Sequence, residues 1–200
     1  MTCSARRGLL AVGAAAALSL AGAAVARAKV FLTQDEALRL AFADAKIEAR
    51  NAFLTDDQRR AAKAASGEEE LPSALVRYYV ATKDGRPAGE AYFDTHVVRT
   101  ESETVMVVVS PDARIARIEV LSFSEPEEYL PRAKWYEQFR GKPLDDELSL
   151  KRSIRPVSGA TLTAHATTDA ARRVLALYRV LHAAAANAPA AATPRAGSVP

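Results

Sequence analysis

Two periodicities divide the chain. Near its start, Leu38, Ala41 and Phe42 recur at helical spacing behind Thr33-Gln34-Asp35-Glu36. That tetrapeptide reads as a capping box, in which a Thr hydroxyl and a Glu carboxylate each satisfy a backbone N–H at a helix start. Residues 46–54 then alternate, with Ile47, Ala49 and Phe53 apolar, as in a half-buried strand. Thr55-Asp56-Asp57-Gln58 is a second capping box. It opens a polar, Ala-rich helix that fades at Ser66-Gly67, and Glu68, Glu69, Glu70 and Pro72 make a loop.

The period then shortens to two. Residues 74–82 are rich in Val and Tyr, Asp84-Gly85 is a hairpin signal, and 88–98 return. Residues 103–109 form a continuous, largely β-branched run, the mark of a central strand. After a turn at Pro111-Asp112, residues 114–123 alternate imperfectly, which predicts a bulge. Residues 133–139 read as a short helix closed by Gly141. A long final helix is predicted over 163–182, with Ala170, Val174, Leu177, Tyr178 and Leu181 on one face. From Ala183 the tail is Ala, Pro, Thr and Gly, with no bulk to bury, and is expected to be disordered over 183–200. The expectation is one α+β domain: a mostly antiparallel sheet flanked by helices, with a long C-terminal helix. Residues 29–87 supply its N-terminal helices and strands and 88–182 its core.

Charge alters the picture at the N-terminus. Residues 1–28 read as an export signal: Arg6 and Arg7, an apolar run over 9–25, and Ala26-Arg27-Ala28 as a small-x-small cleavage site. Cleavage after Ala28 implies a periplasmic or other extracytoplasmic protein. An uncleaved membrane anchor is the other reading, disfavoured by a short, weakly apolar run. Arg6-Arg7-Gly8-Leu9-Leu10 partly resembles a twin-arginine signal, but no Lys follows, which favours ordinary secretion. The chain holds 27 Lys+Arg and 24 Asp+Glu; without Arg6, Arg7 and Arg27 the mature protein balances at 24 against 24. Its basic pI is therefore no argument for nucleic acid. The single cysteine, Cys3, leaves with the signal, and with it any disulfide, thiolate nucleophile or iron–sulfur cluster. His96, His165 and His182 are too scattered to suggest a metal site.

The candidate chemistry sits at Ser158-Gly159-Ala160-Thr161-Leu162-Thr163, where the last helix begins. A helix start offers unpaired N–H groups and the positive end of its dipole to an anion. Gly159 admits close backbone approach, Ala160 keeps it uncrowded, and the hydroxyls of Ser158 and Thr163 can add hydrogen bonds. Small residues and hydroxyls before a helix are also ordinary capping. Upstream lie Ser124-Glu125-Pro126 and Trp135-Tyr136-Glu137-Gln138-Phe139-Arg140-Gly141. In that order and spacing, residues 88–181 resemble the FMN-binding domain family. That family includes flavin-bearing components of the sodium-translocating NADH:quinone reductase and of the Rnf complex, and shares a Ser/Thr-Gly-Ala-Thr motif.

The resemblance implies FMN joined through its phosphate to Thr161, with Ser158, Gly159, Ala160, Leu162 and Thr163 around it and Glu125 near the isoalloxazine ring. It also implies a flavin transferase, since a Thr hydroxyl without a base is a poor nucleophile. Two positions depart from the family. Arg155 stands where an Asp usually precedes the tetrad, and the Thr of a Glu-Thr-Pro turn is missing after Glu125. Arg155 either pairs with the phosphate of non-covalent FMN or is a solvated charge. Trp135 and Tyr129 either stack on the ring or fill the core. His96 either shuttles protons or is structural, and His165 either bonds the cofactor or does not. The expected function is an exported flavoprotein that carries electrons, with a membrane or periplasmic redox partner such as a cytochrome or quinone-linked complex. The alternative is a non-redox periplasmic binding or adaptor module of the same fold that has lost its flavin. A hydrolase would rest on Ser158 and His165 alone, and no catalytic residue is assigned.

Overall fold

A computed structural model describes residues 29–67 and 73–187; the expected export signal at 1–28 and the loop at 68–72 lie outside them. The chain is α+β. Six strands, β1 (Lys29–Val30), β2 (Lys46–Phe53), β3 (Leu75–Lys83), β4 (Arg86–Val97), β5 (Ser102–Val109) and β6 (Ile115–Phe123), form one sheet in the order β1-β6-β5-β4-β3-β2. Every pairing is antiparallel. The helices are α1 (Gln34–Ala41), α2 (Asp56–Ser66), the single turn α3 (Ala133–Tyr136) and α4 (Thr161–Asn187).

Both capping boxes form as read, Thr33 with Glu36 and Thr55 with Gln58, and α2 ends on Gly67 in the left-handed conformation. Asp84 and Gly85 both take positive φ, 51° and 74°, the geometry of a two-residue hairpin turn. The expected bulge in β6 is double: Leu121 and Ala116 are skipped in its register with β5. β5 is buried on both faces. Val105, Val107 and Val109 meet α2, α3 and α4 in the larger core, whereas Met106 and Val108 meet α1 in the smaller one.

Four expectations need correction. α4 starts at Thr161, two positions before the predicted start at Thr163, because the Ala164 N–H already bonds the Ala160 carbonyl at 3.0 Å. The same helix runs on to Asn187, so the first residues of the tail expected to be disordered at 183–200 are helical; the rest lie outside the described residues. The short helix at 133–139 is α3 followed by a 3-10 turn, Glu137–Phe139. β2 is far more exposed than a half-buried strand, with Phe53 78% exposed, because it is an edge strand paired only with β3. No helix among the described residues is long and apolar enough to cross a membrane.

Candidate functional site

The segment 155–160 is pinned by α3 and the 3-10 turn that follows it. Its Arg155 N–H donates to Gln138 Oε1 at 2.9 Å, and its Arg155 carbonyl accepts from Trp135 Nε1 at 2.7 Å. Gln138 Nε2 in turn donates to the Trp135 carbonyl at 3.1 Å. This holds the loop before α4 against the single tryptophan of the chain. Gly159 then turns the backbone with φ 84°, and a Cβ there would meet no atom within 4 Å, so the space over it is open. Ala160 is buried, while Ser158 and Thr161 are exposed.

Helix α4 begins without a side-chain cap. Ala160, at its N-cap, has no side-chain oxygen, and the Thr161 hydroxyl donates backward to the Val157 carbonyl at 3.2 Å instead of accepting. The contrast with the capped starts of α1 and α2 is direct. The first N–H groups of this 27-residue helix keep their partial positive charge for an outside acceptor. Thr163 is fully buried, and its hydroxyl donates to the Tyr129 carbonyl at 2.5 Å, which leaves only its backbone N–H facing the helix start. Leu162 is half exposed.

Beside this start runs an open groove of about 760 Å³. Trp135 and Val157 line it, Ser158 and Ala160 border it, and Arg132, Lys134 and Arg155 add positive charge against the single carboxylate of Glu128. The arrangement can take an anion at the helix start and a flat ring along the groove.

The other sequence candidates lie elsewhere. Glu125 is buried, and its Oε1 accepts from the N–H groups of Thr100 and Glu101 at 2.7 and 2.9 Å. Those bonds hold its carboxyl below the ordinary value and tie down the turn between β4 and β5. The Tyr129 ring lies under the Arg99 guanidinium at 4.9 Å. His165 borders a separate hollow with Asp169, Ser66 and Arg172, away from the Ser158 groove.

His96 belongs to a buried ionic cluster that sequence reasoning missed. Its Nδ1 meets Asp94 Oδ1 at 2.9 Å and its Nε2 meets Glu103 Oε2 at 3.0 Å. Arg173 of α4 forks onto Asp94 with two bonds of 2.8 Å. Thr167 and Tyr136 donate to Glu103, which is wholly buried. Burial opposes the charge on His96, but bonds to Asp94 and Glu103 outweigh it and raise its pKa to about 9. Burial likewise opposes the charge on Asp94, yet Arg173 and His96 bring its pKa down to about 2. The available signal was the acidic pair Asp94 and Glu103 on the strand faces that carry Tyr92 and Val105. Among the described residues no group of His, Cys, Asp and Glu is placed to hold a metal ion.

No curated protein and no solved structure matches the chain, so the narrower likeness to the two respiratory complexes' flavoproteins rests on motif alone. Residues 101–176 do match the model of the FMN-binding domain, a stretch that takes in β5, β6, α3, the groove and the start of α4, and the match indicates FMN as the cofactor.

Proposed function

We propose that this protein is an exported electron carrier whose FMN is esterified through its phosphate to Thr161. The observation that carries the reading is the uncapped start of α4 at the rim of a basic, tryptophan-lined groove. The residues fit the group. The groove volume lies within the ~300–1,000 Å³ typical of small-molecule sites. The N–H groups of the first turn receive phosphate oxygens, Arg155 and Arg132 offset their charge, and the hydroxyl of Thr161 stands exposed for esterification. Trp135, fixed by its bond to Arg155, offers a rigid apolar wall. FMN, when bound, supplies reversible uptake and release of electrons; the protein holds and orients it. A flavin transferase would install it, and a membrane or periplasmic cytochrome or quinone-linked complex would exchange electrons with it.

Intact mass after denaturation tests the claim. Protein exported together with a flavin transferase should gain one FMN less one water, and Thr161→Ala should remove that gain. Arg155→Asp should raise the modified fraction if the transferase reads this position. Full release of flavin by the wild type on denaturation would sink the covalent link and leave the non-covalent cradle. Arg155 in place of the usual acid supports the second reading, an adaptor of the same fold without flavin. A colourless protein from a flavin-replete host would favour that reading.

A further inference from the structure

A second hollow, of about 340 Å³, lies between the outer edge of β6 and α3. Five consecutive residues of β6, Ala116 through Val120, line it. Side chains alternate between the two faces of a strand, so a hollow touched by five in a row runs along the strand edge. That edge is closed at both ends by the chain itself. β1 pairs with Ser122 and Phe123, and the N–H groups of Phe31 and Leu32 reach the Leu121 carbonyl. At the other end Ile115 bonds Gly141 and Lys142. Between them the outer backbone edge of Ala116 to Val120 has no strand partner among the described residues.

The walls are mixed in character. Leu130, Pro131 and Tyr136 give apolar surface opposite the strand, and Glu119 is paired with Arg117 at 2.9 Å. Glu137 and Arg140 stand at the exposed border, and the Arg140 guanidinium makes no hydrogen bond or ion pair among the described residues. The hollow is closed at both ends by the chain and holds about 340 Å³, the size of a small molecule, so the occupant is small.

We propose that this hollow is a ligand site, distinct from the groove at Ser158, for a small flat organic anion. The ring lies on Leu130, Pro131 and Tyr136, its polar edge meets the unpaired backbone of β6, and its acidic group meets Arg140. The two hollows stand back to back across α3. Leu130 borders both, Trp135 lines the groove, and Tyr136 lines the hollow. The two rings touch edge to face with centroids 5.1 Å apart, so an occupant on Tyr136 also alters the emission of the single tryptophan.

Anilinonaphthalene sulfonate, an aromatic sulfonate that brightens in apolar surroundings, is the probe, titrated into the purified full-length protein. A saturable site that survives Arg155→Glu is expected, with a matching change in Trp135 emission. Arg140→Glu, a surface change, should weaken binding by about tenfold or more, through loss of a charge-assisted bond. Ala133→Trp, which fills the mouth, should abolish binding. Arg155→Glu, in the other hollow, should leave the affinity within about twofold. The proposal is overturned if the wild type shows no saturable binding, if Arg140→Glu and Ala133→Trp both bind like wild type, or if Arg155→Glu alone removes binding.

Discussion

Asp94, His96, Glu103 and Arg173 balance two negative against two positive charges only while His96 is protonated, and that condition sets a pH dependence. His96 titrates near 9 in the folded protein against an ordinary 6.5. Its contribution to stability is therefore full below 6.5 and is lost as pH rises through 9. Asp94 titrates near 2 against an ordinary 3.8, so its contribution is present above 3.8 and lost as pH falls through 2. Urea unfolding should show a wild-type loss on the order of 3 kcal/mol between about pH 6 and about pH 10. His96→Gln should be less stable at the lower pH and should lack most of that alkaline loss. Equal pH slopes for the two proteins would mean the cluster does not hold His96 charged. Sequence alone isolated His96 but not its partners, because Arg173 lies 79 residues from Asp94 and only the packing of α4 on β4 joins them. The turn at Gly159 and the start of α4 beside it were legible for the opposite reason: both form within one short stretch of chain.

Local elements were read where one short stretch carries all the information. The boxes at Thr33 and Thr55 and the turn at Asp84-Gly85 each close within four residues, and each forms. β1 and the skipped residue Ala88 depend on which strand lies alongside, and no local pattern marks them; in β6 the broken alternation announced a bulge but not its two places, Ala116 and Leu121. Gly89 shows how strict such a position is. It follows the bulge at Ala88 with φ 141°, and a Cβ would sit 2.8 Å from the Val109 carbonyl oxygen and 3.4 Å from the Phe42 ring. The oxygen belongs to the central strand and cannot yield without disturbing its ladder. Gly89→Ala should cost about 2 kcal/mol or more, from backbone strain and crowding together. Chemical denaturation measures it, and a variant as stable as wild type would show that β4 can shift its register there.

At the scale of the whole molecule the sheet separates two cores of unequal size, and the candidate flavin groove belongs to only one of them. The larger core joins β5 and β6 to α2, α3 and α4. The smaller holds α1 through Ala37, Leu38 and Phe42, against Met106, Val108 and Leu121. Helix α4 is tied to the larger side along its length, by Thr163 to Tyr129, Arg173 to Asp94 and His182 to Glu90. Helix α1 has eight residues and two buried side chains, so it should open alone at a small fraction of the global unfolding free energy. Native-state hydrogen exchange should find α1 amides among the first to exchange and those of β5 and mid-α4 among the last. Leu38 is 5% exposed, and Leu38→Ala should cost about 2–3 kcal/mol. Because the sheet stands between α1 and the groove, that variant should keep the wild-type flavin content while its melting temperature falls. Loss of flavin in step with stability would show instead that the two faces open as one unit, and that the groove depends on the α1 side of the sheet.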